Sequence, residues 1–366
     1  APLIATSFEC EKLRCNLCGE VFTAKHDEGP KYDAAAGAMI ALMRYGTGVP
    51  FKRLEQLQDA LGIPLPASTQ WDVVEKAAMP AHPVYKELVN QAAQGGLVHT
   101  DDTNMKILEP SEGRKGTFTT GMLSVGDQKI ALFFTGQKHA GENLTDLLEK
   151  RNKDLDLPIQ MADALSRNEP KEFPTILANC LAHARRNFID VAESFPDECR
   201  HVIGALAKVY EHDAQTKKMS PEERLAYHKE RSSPILEDLR TWMNTQFDEK
   251  HVEPNSGLGK AFAYMLKHWD PLTLFLRVPG TPLDNNAVER VLKMAIRHRK
   301  NSLFFRTQHG AYIGDLFMSL IHTCRLSKIN PFDYLVALQK YSPEVFKSPG
   351  QWLPWNYETA IGALPP

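Results

Sequence analysis

At Gly95 the chain changes character, and that change limits the folds open to it. Before it, residues 32–95 carry helical spacing. AAAGAMIALMRYG and FKRLEQLQDALG each end at a glycine, and STQWDVVEKAAM follows a Ser68 or Thr69 cap. After it come the strand-like runs LVHTDDTNMKIL, GTFTTGMLSV and KIALFFTG, separated by turn signals at SEGRKG and GDQ. The helical stretch GENLTDLLEKR, the strands LPIQMAD and TILANC and the helix LAHARRNFIDVAESF complete the pattern. Strands in series followed by β–α–β units predict an α/β domain on a mixed sheet.

Three acidic residues stand on this frame in different settings. Asp101 lies in LVHTDDTNMKIL, Asp163 ends LPIQMAD, and Glu289 opens the basic helix DNNAVERVLKMAIRHRKNSLFF. Two strand carboxylates and one helical carboxylate can hold a pair of divalent ions about 4 Å apart, the arrangement that drives in-line phosphoryl transfer. Mg²⁺ takes hard carboxylate oxygens and keeps several waters, so a few Asp and Glu suffice. Alternation puts Asp101 and Asp102 on opposite faces of their strand, and parity does not say which joins the site. Asn286-Ala-Val-Glu289 also fits a capping box, which would give Glu289 a purely structural task.

Charge near Glu289 favours chemistry. Ala287, Val288, Val291, Leu292, Ala295 and Ile296 form an apolar stripe, while Glu289, Lys293 and Arg297 fall four apart on another face. Arg290, His298, Arg299, Lys300 and Arg306 add positive charge, the footprint of a phosphate backbone. In Cys180-Leu-Ala-His183-Ala-Arg185-Arg186, Cys180 reads as buried, and His183 and Arg186 as facing phosphate or the site. A structural histidine is the alternative. Cys15 and Cys18 sit in a CxxCG knuckle suited to zinc, for which Cys10 and His26 stand at poor spacing.

Composition excludes little. The 366 residues can form two or three domains, net charge is −2, and no apolar run approaches a membrane span. Six cysteines at irregular spacing fit a reducing cytoplasm rather than a disulfide framework. The chain opens inside a strand-like run, PLIATSFE, so further residues are expected upstream. The sequence divides into a partial zinc-ribbon-like segment (1–30), a helical region (31–94) and the first part of a catalytic domain (95–194). A helical insertion (195–280), the Glu289 helix with C-terminal helices (281–340) and a Pro- and Trp-rich tail expected on the surface (341–366) follow.

Taken in order, these motifs resemble the insertion sequence 66 family of bacterial transposases. RCNLCGEVFTA is similar to that family's zinc segment, VHTDDT and QMAD to its two aspartate strands, and NCLAHARRNF and DNNAVERVLKMAIRHRKNSLFF to its most specific signatures. GVPFKRLEQLQDALGIPLPASTQW, NPFDYL and WLPWNY extend the likeness over nearly the whole chain. The resemblance implies a ribonuclease H-like catalytic domain with an Asp–Asp–Glu triad, and it selects Asp101 over Asp102, with Asp163 and Glu289. It implies metal-dependent cleavage and strand transfer of an insertion sequence in a bacterial cytoplasm, using Mg²⁺ or Mn²⁺ and, at Cys15 and Cys18, zinc. DNA, further copies of the chain and accessory proteins of the same element are the implied partners, and no membrane is. His183, Arg185, Arg186, Arg290, Lys293, Arg297, Arg299 and Lys300 are the expected DNA contacts. A nuclease of the same fold and a non-catalytic DNA-binding protein are the alternatives. The upstream half of the zinc segment and a leader with end-recognition helices are the departures from the family pattern.

Overall fold

A computed structural model describes residues 3–24, 29–109, 114 and 116–364. Contacts divide the chain into two compact units. One comprises Ala1–Glu87, Arg297–Phe304 and Tyr312–Pro366, and the other Leu88–Ile296 and Phe305–Ala311. The sequence blocks regroup accordingly: most of the early helical region and the C-terminal helices share the first unit, while the strands and the insertion share the second.

The first unit opens on a hairpin, β1 (Lys12–Arg14) and β2 (Val21–Thr23), with Leu13 opposite Phe22. The strand read at PLIATSFE is not formed over its described residues. The ladder is instead set by the tight turn in which Cys15 N donates to Glu20 O and Gly19 N to Cys15 O. Helix α1 (Ala34–Ala41) follows and runs into a π-helical turn at Leu42–Gly46, and α2 (Phe51–Ala60) comes next.

The third helix, α3 (Ala67–Ala92), corrects the sequence reading, which ended it at Met79. It continues through Pro80 and Pro83. Each interior proline costs roughly 3 kcal/mol. That cost is offset along a stripe in which Val74, Ala81, Val84, Leu88 and Ala92 are all fully buried, at about 25 cal/mol per Å² of apolar surface.

The second unit is built on five strands: β3 (Leu97–Asn104), β4 (Phe118–Val125), β5 (Lys129–Gly136), β6 (Ile159–Ala162) and β7 (Ile176–Asn179). Their order is β5-β4-β3-β6-β7. β3, β4 and β5 pair antiparallel, and β6 and β7 add parallel strands beside β3. This is the expected mixed α/β sheet. Helix α4 (Ala140–Leu148) connects β5 to β6, and α5 (Leu181–Ile189) leaves β7. The insertion is helical, as its lack of strand signal predicts: α6 (Pro196–Gln215), α7 (Pro221–Arg231), α8 (Ser233–Asp248), α9 (Gly257–Lys267) and the short α10 (Trp269–Leu272). Its core includes Leu206, Val209, Leu239, Met243 and Phe262, and it is continuous with Leu181 and Phe188 of α5.

Helix α11 (Asn286–Ser302) carries Glu289, and α12 (Gln308–Leu326) and α13 (Pro331–Lys340) follow. The tail is not a surface strap. Helix α14 (Ser342–Lys347), a 3₁₀ turn at Pro349–Trp352 and α15 (Tyr357–Gly362) bring Trp352, Leu353 and Tyr357 into the core. The buried Tyr334 hydroxyl donates to Trp352 O at 2.8 Å, and its ring stands 5.1 Å from that of Tyr357. Three large side chains with few polar groups between them gain more from burial than a Pro-rich backbone loses by ordering.

Candidate active site

Strand β3 presents two adjacent carboxylates with different surroundings. Asp102 is fully engaged: it accepts from Thr120 Oγ1 at 2.6 Å and from Ala140 N at 3.0 Å, and it lies 3.1 Å from His139 Nδ1. It therefore ties the start of α4 to β4 and β3, where the helix N-terminus welcomes negative charge. Asp101 receives one hydrogen bond, from the backbone N–H of Asp102 at 2.8 Å. Burial pushes its carboxyl up to about 7, and the charges of Asp163, Asp102 and Glu289 push in the same direction. Those neighbours show where Asp101 faces: toward the residues just past β6 and at the start of α11.

Asp163 follows β6 directly. Its carboxyl is also raised, first by burial, while His183, a hydrogen bond from Asn168 Nδ2 and Arg167 pull the other way. His183 of α5 is thus on the Asp163 side, and its Nδ1 is enclosed without a partner. Tyr264 of α9 also reaches this point, its phenol raised by burial and then by the charge of Asp163. The insertion therefore contributes to the surroundings of the second aspartate. Arg185 and Arg186 of α5 are exposed, as are Arg290 and Lys293 of α11.

Glu289 is positioned by contacts made before its helix begins. Asn285 is fully buried. Its Nδ2 donates to Thr100 O at 2.9 Å, its Oδ1 lies 3.0 Å from His99 Nδ1, and its backbone N–H donates to Cys180 Sγ at 3.2 Å. Because the amide nitrogen is committed to Thr100, the oxygen accepts and His99 Nδ1 donates. Burial lowers the His99 pKa and so favours the neutral ring with its proton on Nδ1. Asn285 thus joins the residue before Asp101 to the first turn of α11. A glycine completes the fit. Gly121 lies opposite Asp101 in the β3–β4 ladder, and a Cβ there would meet Leu292 of α11 at 2.7 Å. The helix approaches the sheet closely at this pair, one turn from Glu289.

The capping box read at Asn286 is not formed. Asn286 Nδ2 donates to Asp284 Oδ2 at 2.7 Å, and the Glu289 N–H goes to Asn285 O at 3.3 Å. Among the described residues the Glu289 carboxylate has no hydrogen-bond or ion-pair partner. His298 does not add charge to α11 either: burial lowers its pKa to about 3. Arg297 and Lys300 are exposed and Arg299 is partly buried.

Whether these residues suit a metal has two parts. The acidic group offers hard oxygen donors whose mutual repulsion a cation would relieve. Yet among the described residues no group of three or more His, Cys, Asp or Glu is already gathered to hold an ion. The carboxylates are electrostatic neighbours rather than a closed cage. On the hairpin, backbone N–H groups of Cys18 and Leu17 and the Cys18 side chain lower the Cys15 thiol, as a thiolate ligand needs. Cys10 and Cys18 are exposed, and His26 lies outside the described residues.

Asn285, His99 and Gly121 are the functional candidates missed in the sequence; Cys180, read there as buried, is buried and accepts from Asn285 N. The DNN triplet before Glu289 was the available signal. Asn285→Ala is expected to lower the stability of its unit by about 2–4 kcal/mol, since Thr100 O and His99 Nδ1 each lose a buried partner. Asn285→Asp should behave similarly, because a carboxylate cannot donate to Thr100 O. Denaturant unfolding checks this, and a wild-type midpoint in both variants would exclude the clamp.

Asp101 of β3, Asp163 just after β6 and Glu289 in the first turn of α11 are thus electrostatic neighbours on a mixed α/β sheet. Residues 31–313 match the profile described as "Transposase IS66 family", and the chain belongs to that family. It is also similar to three proteins of Sinorhizobium fredii (strain NBRC 101917 / NGR234), each described as uncharacterized. Identity to y4jD is 26% across 97% of this chain, to y4hP 27% across 89%, and to y4qI 24% across 89%. The chain spans 72%, 62% and 63% of their respective lengths. No helix among the described residues is long and apolar enough to cross a membrane.

Proposed function

We propose that this chain is a metal-dependent DNA transposase that cleaves phosphodiester bonds at element ends and joins the 3′ hydroxyl to target DNA. The observation that carries the reading is the Asp101 carboxyl, raised to about 7 by burial and by Asp163 and Glu289. An acid perturbed by burial together with specific charged neighbours is a candidate for a functional site. The strand order β5-β4-β3-β6-β7, antiparallel on one side of β3 and parallel on the other, supports a ribonuclease H-like catalytic domain.

Asp101, Asp163 and Glu289 would hold Mg²⁺ or Mn²⁺. When bound, such ions supply the positive charge that phosphoryl transfer needs at the attacking and leaving oxygens. The protein's own residues do the rest. Asn285 fixes Glu289 against the Asp101 strand. Asn168 and His183 orient Asp163. Asp102 holds α4 and leaves Asp101 for the reaction. Cys15 and Cys18 would supply two of four zinc ligands, the others coming from elsewhere. The chain acts on DNA in the bacterial cytoplasm, with further copies of itself on the element ends.

The deciding experiment incubates the protein with labelled DNA carrying the ends of its element and Mg²⁺. Cleavage and strand transfer together support the reading. Cleavage alone would make the protein a nuclease of this fold, and neither would leave a DNA-binding protein.

DNA binding is expected to depend steeply on salt despite the net charge of −2. Lys293 and Arg297 are exposed on α11. Each phosphate neutralised contributes about 0.9 to the slope of log affinity against log salt on duplex DNA. Replacing both with Ala should flatten the slope by roughly 2. An unchanged slope in a titration from low to physiological salt would mean that neither residue touches phosphate.

A further inference from the structure

Helix α11 ends at a conformational cost and with apolar surface in water. Leu303 follows its last turn with φ 67°, and its N–H donates to Arg299 O at 2.8 Å. This is the left-handed helix stop that glycine usually makes, and a bulky residue is strained in it. The other described non-glycine residues with positive φ are Lys250 and Lys328, whose charged ends remain hydrated. Leu303 is 67% exposed, and Phe304 beside it is 38% exposed.

The segment beneath this tip is firmly held. The Arg44 guanidinium donates to Ser302 Oγ, and Asn301 Nδ2 donates to Gly48 O at 3.0 Å. Gly48 has φ 82°, and a Cβ there would press on Arg297 Cγ at 3.2 Å. Arg297 and Lys300, within the two preceding turns, are both exposed. A strained, exposed apolar pair on a rigid mount next to two solvent-facing cations is poorly explained by folding alone.

We infer that Leu303 and Phe304 form a wedge that packs on an unpaired or unstacked base of DNA. Arg297 and Lys300 hold the adjoining phosphates. The inference rests on the DNA-binding reading above. Apolar wedges between base steps and aromatic side chains on exposed bases are established ways of gripping distorted DNA. The flanking cations fit a polyanion better than an apolar protein surface. The strain has a use in this account: Leu is kept where Gly would be easier because its side chain is needed outside.

Two duplexes of one sequence test this in EDTA, so that no cleavage intervenes. One is fully paired, and the other carries a two-nucleotide bulge with 2-aminopurine. Wild-type protein should bind both and prefer the bulge by about tenfold, with a change in 2-aminopurine fluorescence. Leu303→Gly should melt no lower than wild type, since it relieves the positive φ, yet lose most of that preference while keeping its affinity for paired DNA. Phe304→Ala should show the same loss. Equal wild-type affinity for both duplexes would overturn the wedge and leave DNA binding standing. So would a preference that survives both substitutions, or a change in sedimentation in Leu303→Gly that marks the tip as a contact between copies. Failure to bind either duplex would overturn the DNA reading and the wedge together.

Discussion

Glu289→Gln is expected to abolish Mg²⁺-dependent cleavage while leaving the melting temperature unchanged. The Glu289 side chain caps nothing: Asn286 turns to Asp284, and the Glu289 carboxylate has no protein partner among the described residues. Glutamine keeps the shape and loses only the anionic oxygen that a hard cation requires. Replacing groups that merely orient metal ligands costs about 10–100-fold, so loss of a ligand should cost more than about 100-fold. Even Glu289→Ala should lower stability little, because the favourable first-turn charge near a helix N-terminus is about 0.3–1 kcal/mol and its loss is opposed by relief of the repulsion between Glu289 and Asp101. Cleavage and melting measured on the same preparations decide the matter. A fully active Gln variant would remove Glu289 from the metal site and contradict the Asp–Asp–Glu mechanism.

The second large effect concerns Asp101 and pH. Its folded pKa is about 7 against an ordinary 3.8. For an acid raised by folding, the unfolded chain ionises first. Metal-free stability should therefore fall as pH rises from about 4 to about 7, and level off above that. At about 1.4 kcal/mol per unit, the loss is bounded by about 4 kcal/mol. Asp163, raised in the same direction, adds to it. Asp101→Asn should consequently be more stable than wild type at pH 8 in EDTA and no more stable at pH 4. Millimolar Mg²⁺ should raise the wild-type melting temperature at pH 8, and the increment should fade below pH 7 as protons compete for the same oxygens. The Asn variant should lack that increment. A flat wild-type pH profile, or an Mg²⁺ shift that survives in Asp101→Asn, would contradict the account.

Local patterns carried the strands of the second unit well. LVHTDDTN, FTTGMLSV and KIALFFTG are runs whose burial is decided within the run, and turn residues mark their ends. Elements held by distant partners were harder to read. Nothing near Pro80 or Pro83 says that α3 continues, because what outweighs them is the burial of Val84, Leu88 and Ala92 in the folded chain. Trp352 and Tyr357 look like a polar, Pro-rich tail until Tyr334 supplies their pocket. Asn285 works through residues 185 and 186 positions away, beyond the reach of any periodicity. Alternation separated Asp101 from Asp102 without ranking them, and the family likeness did the ranking. The structure adds the physical difference: one carboxylate is spent on Thr120, His139 and Ala140, and the other is not.

That division of labour bears on how such a gene decays. The carboxylate that holds α4 and the one that repels its neighbours are adjacent codons. Damage at the first is expected to release the start of α4 from β3 and β4 and expose the chain to proteolysis. Damage at the second relieves repulsion and leaves the basic surface of α11 untouched. On the transposase function proposed above, a copy that mutates at Asp101 should therefore persist as a folded, inactive protein that still binds DNA. It would act as a competitor that restrains its active relatives.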